Sequence, residues 1–256
     1  MISPAVPARE PADPIQAPGT DESAWCRWPG WASLREAQLP DAGRVVVVAA
    51  HPDDEVLGFG GCIALLAARG LALTVVSVTD GEASHPGSTR VTPRELIPTR
   101  AAETRAALAE LGAAHADVVR LGVPDTQVGR HEQQVTDALA PVLAGADLVV
   151  APWTGDVHGD HEAAGRAART AARSAGVPCW TYPVWMWHWA TPGDPRVPWD
   201  RARLVGLPPE TLRRKRAAVA RFRSQTEPLG PAPEDAAVLP PDELAHHLRT
   251  VEVLFK

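Results

Sequence analysis

The sequence holds little of what would mark a nucleic-acid binder, a membrane protein or a disulfide scaffold. Its 25 Lys and Arg fall short of its 31 Asp and Glu, so the net charge is −6 and no basic surplus points to a polyanion. No apolar run approaches the ~20 residues that a membrane span needs. The first twenty residues hold Glu10 and Asp13 among prolines and have no apolar core, so no signal peptide is expected. Cysteine occurs three times, at Cys26, Cys62 and Cys179, an odd and scattered set that argues against a disulfide framework and fits a reducing cytoplasm. Tyrosine occurs once against nine tryptophans, a bias that composition alone does not explain. What remains is an ordinary globular chain of 256 residues, 45% hydrophobic and 22% charged, long enough for one domain with a sizeable core.

Residues 1–40 form a Pro-rich N-terminal extension with little periodicity, in which Trp25, Trp28 and Trp31, three apart, are expected to cover core surface. From residue 41 to 256 the pattern is that of one domain, and it alternates. Val45–Ala50 is a β-branched, buried strand, and 56–69 is a helix stopped by Gly70. Strands follow at 73–78, 118–121, 148–151 and 180–185. Helices lie between them at 93–111, 132–143 and 161–175. Such alternation predicts an α/β fold: a single Rossmann-like domain with a mostly parallel sheet and helices on both faces. After Pro192 the pattern loosens into a helix at 212–222, a Pro-rich loop at 227–241 and a last strand at 251–255. Trp185, Trp187 and Trp189 alternate, so on a strand they share one face, either packed or open to stacking with a ligand.

The first strand, "RVVVV", runs into "AAHPDDE" (Ala49–Glu55). In an open parallel sheet, ligands bind at the carboxyl ends of the strands. A helix N-terminus favours one or two acids by ~0.3–1 kcal/mol each, but that leaves His51, fixed by Pro52, unexplained. Crowded carboxylates repel unless a cation sits among them, and histidine with carboxylate is a zinc or iron ligand set. Asp53 and Asp54 are adjacent and diverge, so one faces an ion and the other a reacting group. A metal centre needs at least one more arm. "LVVAP" is followed by "WTGDVHGDHEAAG", which places His158, Asp160 and His161 at the end of another strand. The "GFGG" at 58–61 is not a dinucleotide fingerprint: its third glycine would fall on Ile63, and a pyrophosphate would meet three acids.

"AHPDDE" followed about a hundred residues later by "HGDH" resembles the LmbE/PIG-L family of zinc-dependent N-acetylglucosaminyl deacetylases. "VTDGE" (78–82), "RAAETRAALAELG" (100–112), "GVPDT" (122–126) and "KRAAVARFRSQ" (215–225) extend the likeness across 44–225. The resemblance implies one Zn2+ per chain, with Fe2+ or another divalent metal as the alternative, on His51, Asp54 and His161. It implies Asp53 as the base that takes a proton from water, and His158 as the group that stabilises the oxyanion and protonates the departing amine. Asp160 is expected to hydrogen-bond His158 and keep it protonated, and Glu55 to be structural. Arg100 and Asp125 lie in family-like motifs and are expected to bind sugar hydroxyls, with Trp187 a stacking surface. The implied reaction is hydrolytic removal of the N-acetyl group from a small amino-sugar glycoside, with no nucleic-acid or membrane partner. An amidase acting on a thiol conjugate, or a non-catalytic sugar-binding protein, remains the alternative. The likeness fades over 186–256, which is therefore expected to be a variable, substrate-side region with Pro228–Pro241 as a mobile rim.

Overall fold

The structure is a computed structural model that describes residues 14–256; the first thirteen residues of the Pro-rich extension lie outside the described residues. Eight strands form one sheet. They are β1 (Arg35–Glu36), β2 (Arg44–Ala49), β3 (Ala72–Ser77), β4 (Asp117–Arg120), β5 (Leu148–Pro152), β6 (Cys179–Tyr182), β7 (Ala202–Gly206) and β8 (Val251–Phe255). The spatial order is β1-β7-β8-β6-β5-β2-β3-β4. Strands β4, β3, β2, β5 and β6 are mutually parallel, while β8 runs antiparallel to both β6 and β7. The α/β architecture is the expected one.

The β-branched run of β2 explains its central place. Val45 and Val47 enter a core shared with α2 (Asp54–Ala68), α3 (Pro93–Glu110) and α7 (Pro209–Val219). Val46 and Val48 enter a second core with α4 (Glu132–Leu143) and α5 (Gly159–Ala175). A strand buried on both faces needs apolar side chains at both parities. The chain winds from β2 to β3 and β4 on one side, then returns to place β5 and β6 on the other. The order therefore reverses between β2 and β5, and the crevice outside their carboxyl ends is where such sheets bind ligands. Both motifs open onto that crevice.

Small residues let the two motif-bearing helices sit close to the sheet. A Cβ on Gly58 would lie 2.1 Å from the Tyr182 ring, and one on Gly61 would lie 2.5 Å from Leu207. The "GFGG" run is thus a packing device. At α5, a Cβ on Gly165 would meet the Pro152 carbonyl oxygen at 2.4 Å, and the buried alanines 163, 164, 167 and 168 continue the close approach. Beneath α2, the buried Lys215 ammonium donates to the Leu57 carbonyl (2.7 Å) and to Glu252 on β8 (2.6 Å). Glu252 also accepts from the backbone N–H groups of Gly61 and Cys62.

One expectation needs correction. The strand expected at 180–185 ends at Tyr182. Pro183 follows, and Met186–Trp189 is a short helix, α6, so Trp185, Trp187 and Trp189 do not share a strand face. A proline removes the next ladder donor, and the alternation beyond it is not a strand pattern. The tryptophans of the N-terminal extension cover core surface, as expected. The short helix Glu22–Cys26 (α1) and the turn after it put Trp25, Trp28 and Trp31 into a third core with Trp187 and Trp199, and β1 pairs with β7. The Trp25 indole N–H donates to the Trp187 carbonyl at 2.9 Å, and the Arg249 guanidinium lies 4.3 Å from the Trp187 ring centre. The segment 186–256 likewise supplies β7 and β8 as well as a cleft wall.

Candidate metal centre and active site

The crevice between β2 and β5 opens into a cleft of about 560 Å³ whose floor carries His51, Asp53, Asp54, His158 and His161. His51 follows β2. Asp54 and Asp53 are the first residue and N-cap of α2. His161 is in the first turn of α5, with His158 as its N-cap. Among the described residues, three non-glycine residues have positive φ: Asp53 (132°), Thr126 (66°) and Val157 (69°). All three flank this floor. Backbone held in such sparsely populated regions costs of order 1–3 kcal/mol per residue, and a β-branched residue such as Val157 is a genuine outlier there.

Each imidazole expected to hold the metal is fixed from behind. His51 Nε2 faces Asp125 Oδ1 at 3.1 Å and Asp160 Oδ2 at 3.2 Å. His161 Nδ1 lies 2.7 Å from Asp156 Oδ2. A carboxylate on one ring nitrogen fixes the tautomer and directs the other nitrogen's lone pair forward. The two free nitrogens, His51 Nδ1 and His161 Nε2, then face each other at 3.3 Å. Asp54 stands beside both, with Oδ1 3.2 Å from His161 Nε2 and Oδ2, which accepts the His51 backbone N–H, 3.6 Å from His51 Nδ1. Ligands bound tetrahedrally to zinc at ~2.0–2.1 Å stand ~3.3–3.4 Å apart, so this donor set fits a divalent metal. His158 lies close enough to His51 and His161 to form a second candidate triad.

The carboxylates behind the imidazoles are themselves held. Asp156 is fully buried and also accepts from the backbone N–H groups of Val184, Trp185 and Met186. Asp160 accepts from the N–H groups of Thr126 (2.7 Å) and Val128 (3.0 Å). Asp125 accepts from Ala83 N–H at 2.9 Å. The charge balance follows. Burial opposes ionised His51, yet hydrogen bonds to Asp125, Asp160 and Asp54 lift it well above its ordinary value. Burial likewise opposes ionised His161, but Asp54 and Asp156 bring it up to about 9. Burial would raise Asp54, and His161 and His51 hold it well below the usual carboxylate range.

Asp53 has a different environment. Its Oδ2 accepts from the Arg100 guanidinium at 2.9 Å. Arg100 also donates to the carbonyls of Pro52 (2.5 Å) and Gly81 (2.8 Å). Gly81 is required there, because a Cβ would lie 1.9 Å from the guanidinium. Burial pushes Asp53 up to about 7, with Arg100 pulling it back and Asp54 adding to the rise. Glu55 accepts the Asp53 N–H and is pushed by burial up to about 8.

Three sequence expectations are corrected by these positions. Asp160 does not hydrogen-bond His158 through its carboxylate, which faces His51. Instead the Asp160 backbone N–H donates to His158 Nδ1 at 3.3 Å. Burial and the neighbouring charges of His161 and His51 push His158 down to about 3, so it is a neutral ring. Arg100 supports Asp53 and two carbonyls, and Asp125 supports His51; both also border the cleft. Trp187 is buried in the tryptophan core, and Trp185 is the aromatic that lines the cleft. Sequence reasoning misses Asp156, although it stands in the same "TGDVHGDH" stretch, five residues before His161. Gln225, which closes the "KRAAVARFRSQ" motif, also lines the cleft.

Residues 46–172 match the family model described as "PIG-L: GlcNAc-PI de-N-acetylase". These residues form a PIG-L family domain. A deacetylase of Rhodococcus erythropolis, named for 1D-myo-inositol 2-acetamido-2-deoxy-alpha-D-glucopyranoside, is 31% identical over 179 residues, 57% of this chain and 60% of that protein. A Streptomyces avermitilis deacetylase of the same name is 41% identical over 80 residues, 29% of this chain and 27% of its own. The chain thus covers less than two thirds of these curated relatives. Among solved structures, a deacetylase of teicoplanin biosynthesis in complex with teicoplanin superposes with a TM-score of 0.61 at 18% identity, covering 83% of this chain and 96% of that one. That likeness is one of fold. No helix among the described residues is long and apolar enough to cross a membrane.

Two outcomes follow from the floor of the cleft. Asp156→Asn, which weakens the carboxylate behind His161, is expected to lower Zn2+ affinity ~10–100-fold, measured by competition with a chromophoric chelator; unchanged affinity would mean Asp156 does not orient a ligand. Glu55 ionises near 4.5 when exposed but only near about 8 when folded. Its contribution to stability is therefore full below about 4.5 and is lost as pH rises through about 8. In metal-free protein, Glu55→Gln should flatten the fall in urea-unfolding stability between pH 5 and 8.5, and a slope identical to the parent's would contradict that environment.

Proposed function

We propose that this protein is a metal-dependent N-deacylase that hydrolyses the acetamide of a small amino-sugar glycoside, with the metal on His51, Asp54 and His161. The observation that carries the reading is the approach of His51 Nδ1 to His161 Nε2 at 3.3 Å, with Asp54 Oδ1 3.2 Å from His161 Nε2, beside a buried carboxylate, Asp53, poised near neutrality. Two imidazoles and a carboxylate suit zinc first and also ferrous iron. When bound, the metal would polarise the amide carbonyl and lower the pKa of water. The family match and the amino-sugar names of the curated relatives support the substrate class.

The chain's own groups supply the proton chemistry. Asp53, lifted by burial and oriented by Arg100, takes a proton from the attacking water, as a base with a pKa near the working pH does best. His158 accepts at Nδ1 from Asp160 N–H, which fixes its proton on Nε2. A neutral ring carrying an Nε2–H bordering the cleft is a hydrogen-bond donor to the developing oxyanion. It is a poor source of a full proton, since giving one up would leave an imidazolate. Protonated Asp53 is the better donor to the departing amine. This shifts the terminal proton transfer from His158, where the resemblance puts it, to Asp53.

The test is amine release from a panel of N-acetylglucosaminyl glycosides by the zinc-loaded protein. Asp53→Asn is expected to lose about two to four orders of magnitude in kcat while retaining its metal. Loss of metal instead would move Asp53 among the ligands. A zinc-loaded parent enzyme that releases no amine from any glycoside would overturn the reading.

A further inference from the structure

The cleft's outer walls come from opposite ends of the chain. Ala237 to Pro240, the end of the Pro-rich loop, form one rim; Ile15 and Gln16, far away in sequence, line the same cleft. The rim is anchored: Leu239 N–H donates to the Gln225 carbonyl at 2.9 Å, and Ser88 Oγ donates to Asp235 at 2.6 Å. The N-terminal segment is anchored on α6 and the residue after it, chiefly through His188, with Thr20 Oγ1 also donating to the Ala190 carbonyl at 2.7 Å. His188 Nε2 lies 2.8 Å from the Ala17 carbonyl oxygen, and Thr20 N–H donates to the His188 carbonyl, also at 2.8 Å. A Cβ on Gly19 would lie 2.4 Å from His188 Nδ1, so the contact is tight. His188 Nδ1 faces Glu243 Oε2 at 2.8 Å, and Glu243 is on α9 (Pro241–His247), the helix that continues the opposite rim. One imidazole therefore ties both walls together.

The walls differ in character from the floor. Ile15, Trp185, Val238, Leu239 and Pro240 give the walls apolar surface, with Gln16, His188, Asp242 and Glu243 between them, whereas the floor is dominated by the charged cluster. A cleft of about 560 Å³ falls within the ~300–1,000 Å³ of sites that enclose drug-sized ligands. It is larger than one monosaccharide requires.

We propose that Ile15–Thr20, held by His188, is a specificity-determining wall that packs an apolar substituent of the substrate against Ile15 and the facing rim. The substituent is an alkyl or aryl group, carried on either the acyl chain or the aglycone. The proposal rests on the amino-sugar amide reading above and adds the hydrophobic requirement to it. His188 is a positioning residue, acting through the segment it holds.

The experiment compares the parent with Ile15→Ala and His188→Ala. One arm lengthens the N-acyl group from acetyl to octanoyl on a methyl glycoside; the other lengthens the aglycone from methyl to octyl on an N-acetyl glycoside. Both variants are expected to reduce the long-to-short ratio of kcat/KM about tenfold in one arm. The arm affected identifies which end of the substrate carries the apolar group. Calorimetric Kd values for octyl and methyl glucosaminides, free amines that need no turnover, read the aglycone wall even if no glycoside is hydrolysed. A dead enzyme that still prefers the octyl ligand, and loses that preference in Ile15→Ala, would sink the deacylase reading but keep the wall. Selectivity unchanged in both arms, or equal losses on long and short substrates, in variants with parental melting temperatures, would overturn the proposal.

Discussion

Two imidazole nitrogens aimed at each other across 3.3 Å are the constraint on which the rest of the site depends. Protonated on both facing nitrogens, they would bring two N–H groups into conflict. Left unprotonated with nothing between them, two lone pairs would oppose. The carboxylates on their far sides, Asp125 and Asp160 behind His51 and Asp156 behind His161, forbid the rings from turning away. With one of the two protonated they form a single N–H···N contact; a divalent cation would instead use both lone pairs, and binding it would release protons from histidines held above their ordinary values. Asp54 faces both nitrogens and would supply an anionic third donor.

Holding that geometry is costly, and the structure shows where the cost is borne. The three positive-φ residues, Asp53, Thr126 and Val157, precede or adjoin Asp54, the Asp160 carboxylate and His158 in turn. Strain of this kind persists only where surrounding structure over-determines it. Here the determinants are the backbone donors on Asp156, the Arg100 fork on Asp53 and Pro52, and the glycines and alanines that seat α2 and α5 tightly on the sheet. The chemistry at the floor and the close packing beneath it are parts of one arrangement.

The alternating elements from β2 to β6 are legible in the sequence because period-2 and period-3.6 patterns survive in single elements. The two clusters are legible because mutual repulsion disfavours acids gathered at a strand end unless a cation joins them. Partnership is much less legible. Asp160 stands two residues from His158, and proximity in sequence suggests a pair; the first turn of α5 instead carries its carboxylate toward His51. Arg100 and Asp125 look like surface sugar binders in a linear reading, because nothing local reveals that α3 and the β4–α4 connection bring them to Asp53 and His51. The tryptophan alternation at 185–189 imitates a strand, but Pro183 has already ended it. Asp156 is hidden for the opposite reason: a lone aspartate in a turn has many uses, and only the fold puts His161 against it. The structural contribution of 14–36 depends on Trp25 and Trp31 finding Trp187 and Arg249, contacts between the two ends of the chain that no local pattern encodes.

His51 and His161 also stand near His158, so the alternative to the two-histidine, one-aspartate centre is a centre of three histidines. X-ray absorption at the zinc edge of the reconstituted protein and of His158→Ala separates them. If Asp54 is the third ligand, both proteins show two imidazoles in the metal's coordination shell and superimposable spectra. Three imidazoles in the parent, falling to two in His158→Ala, would contradict the ligand set from which the roles of Asp53 and His158 were derived.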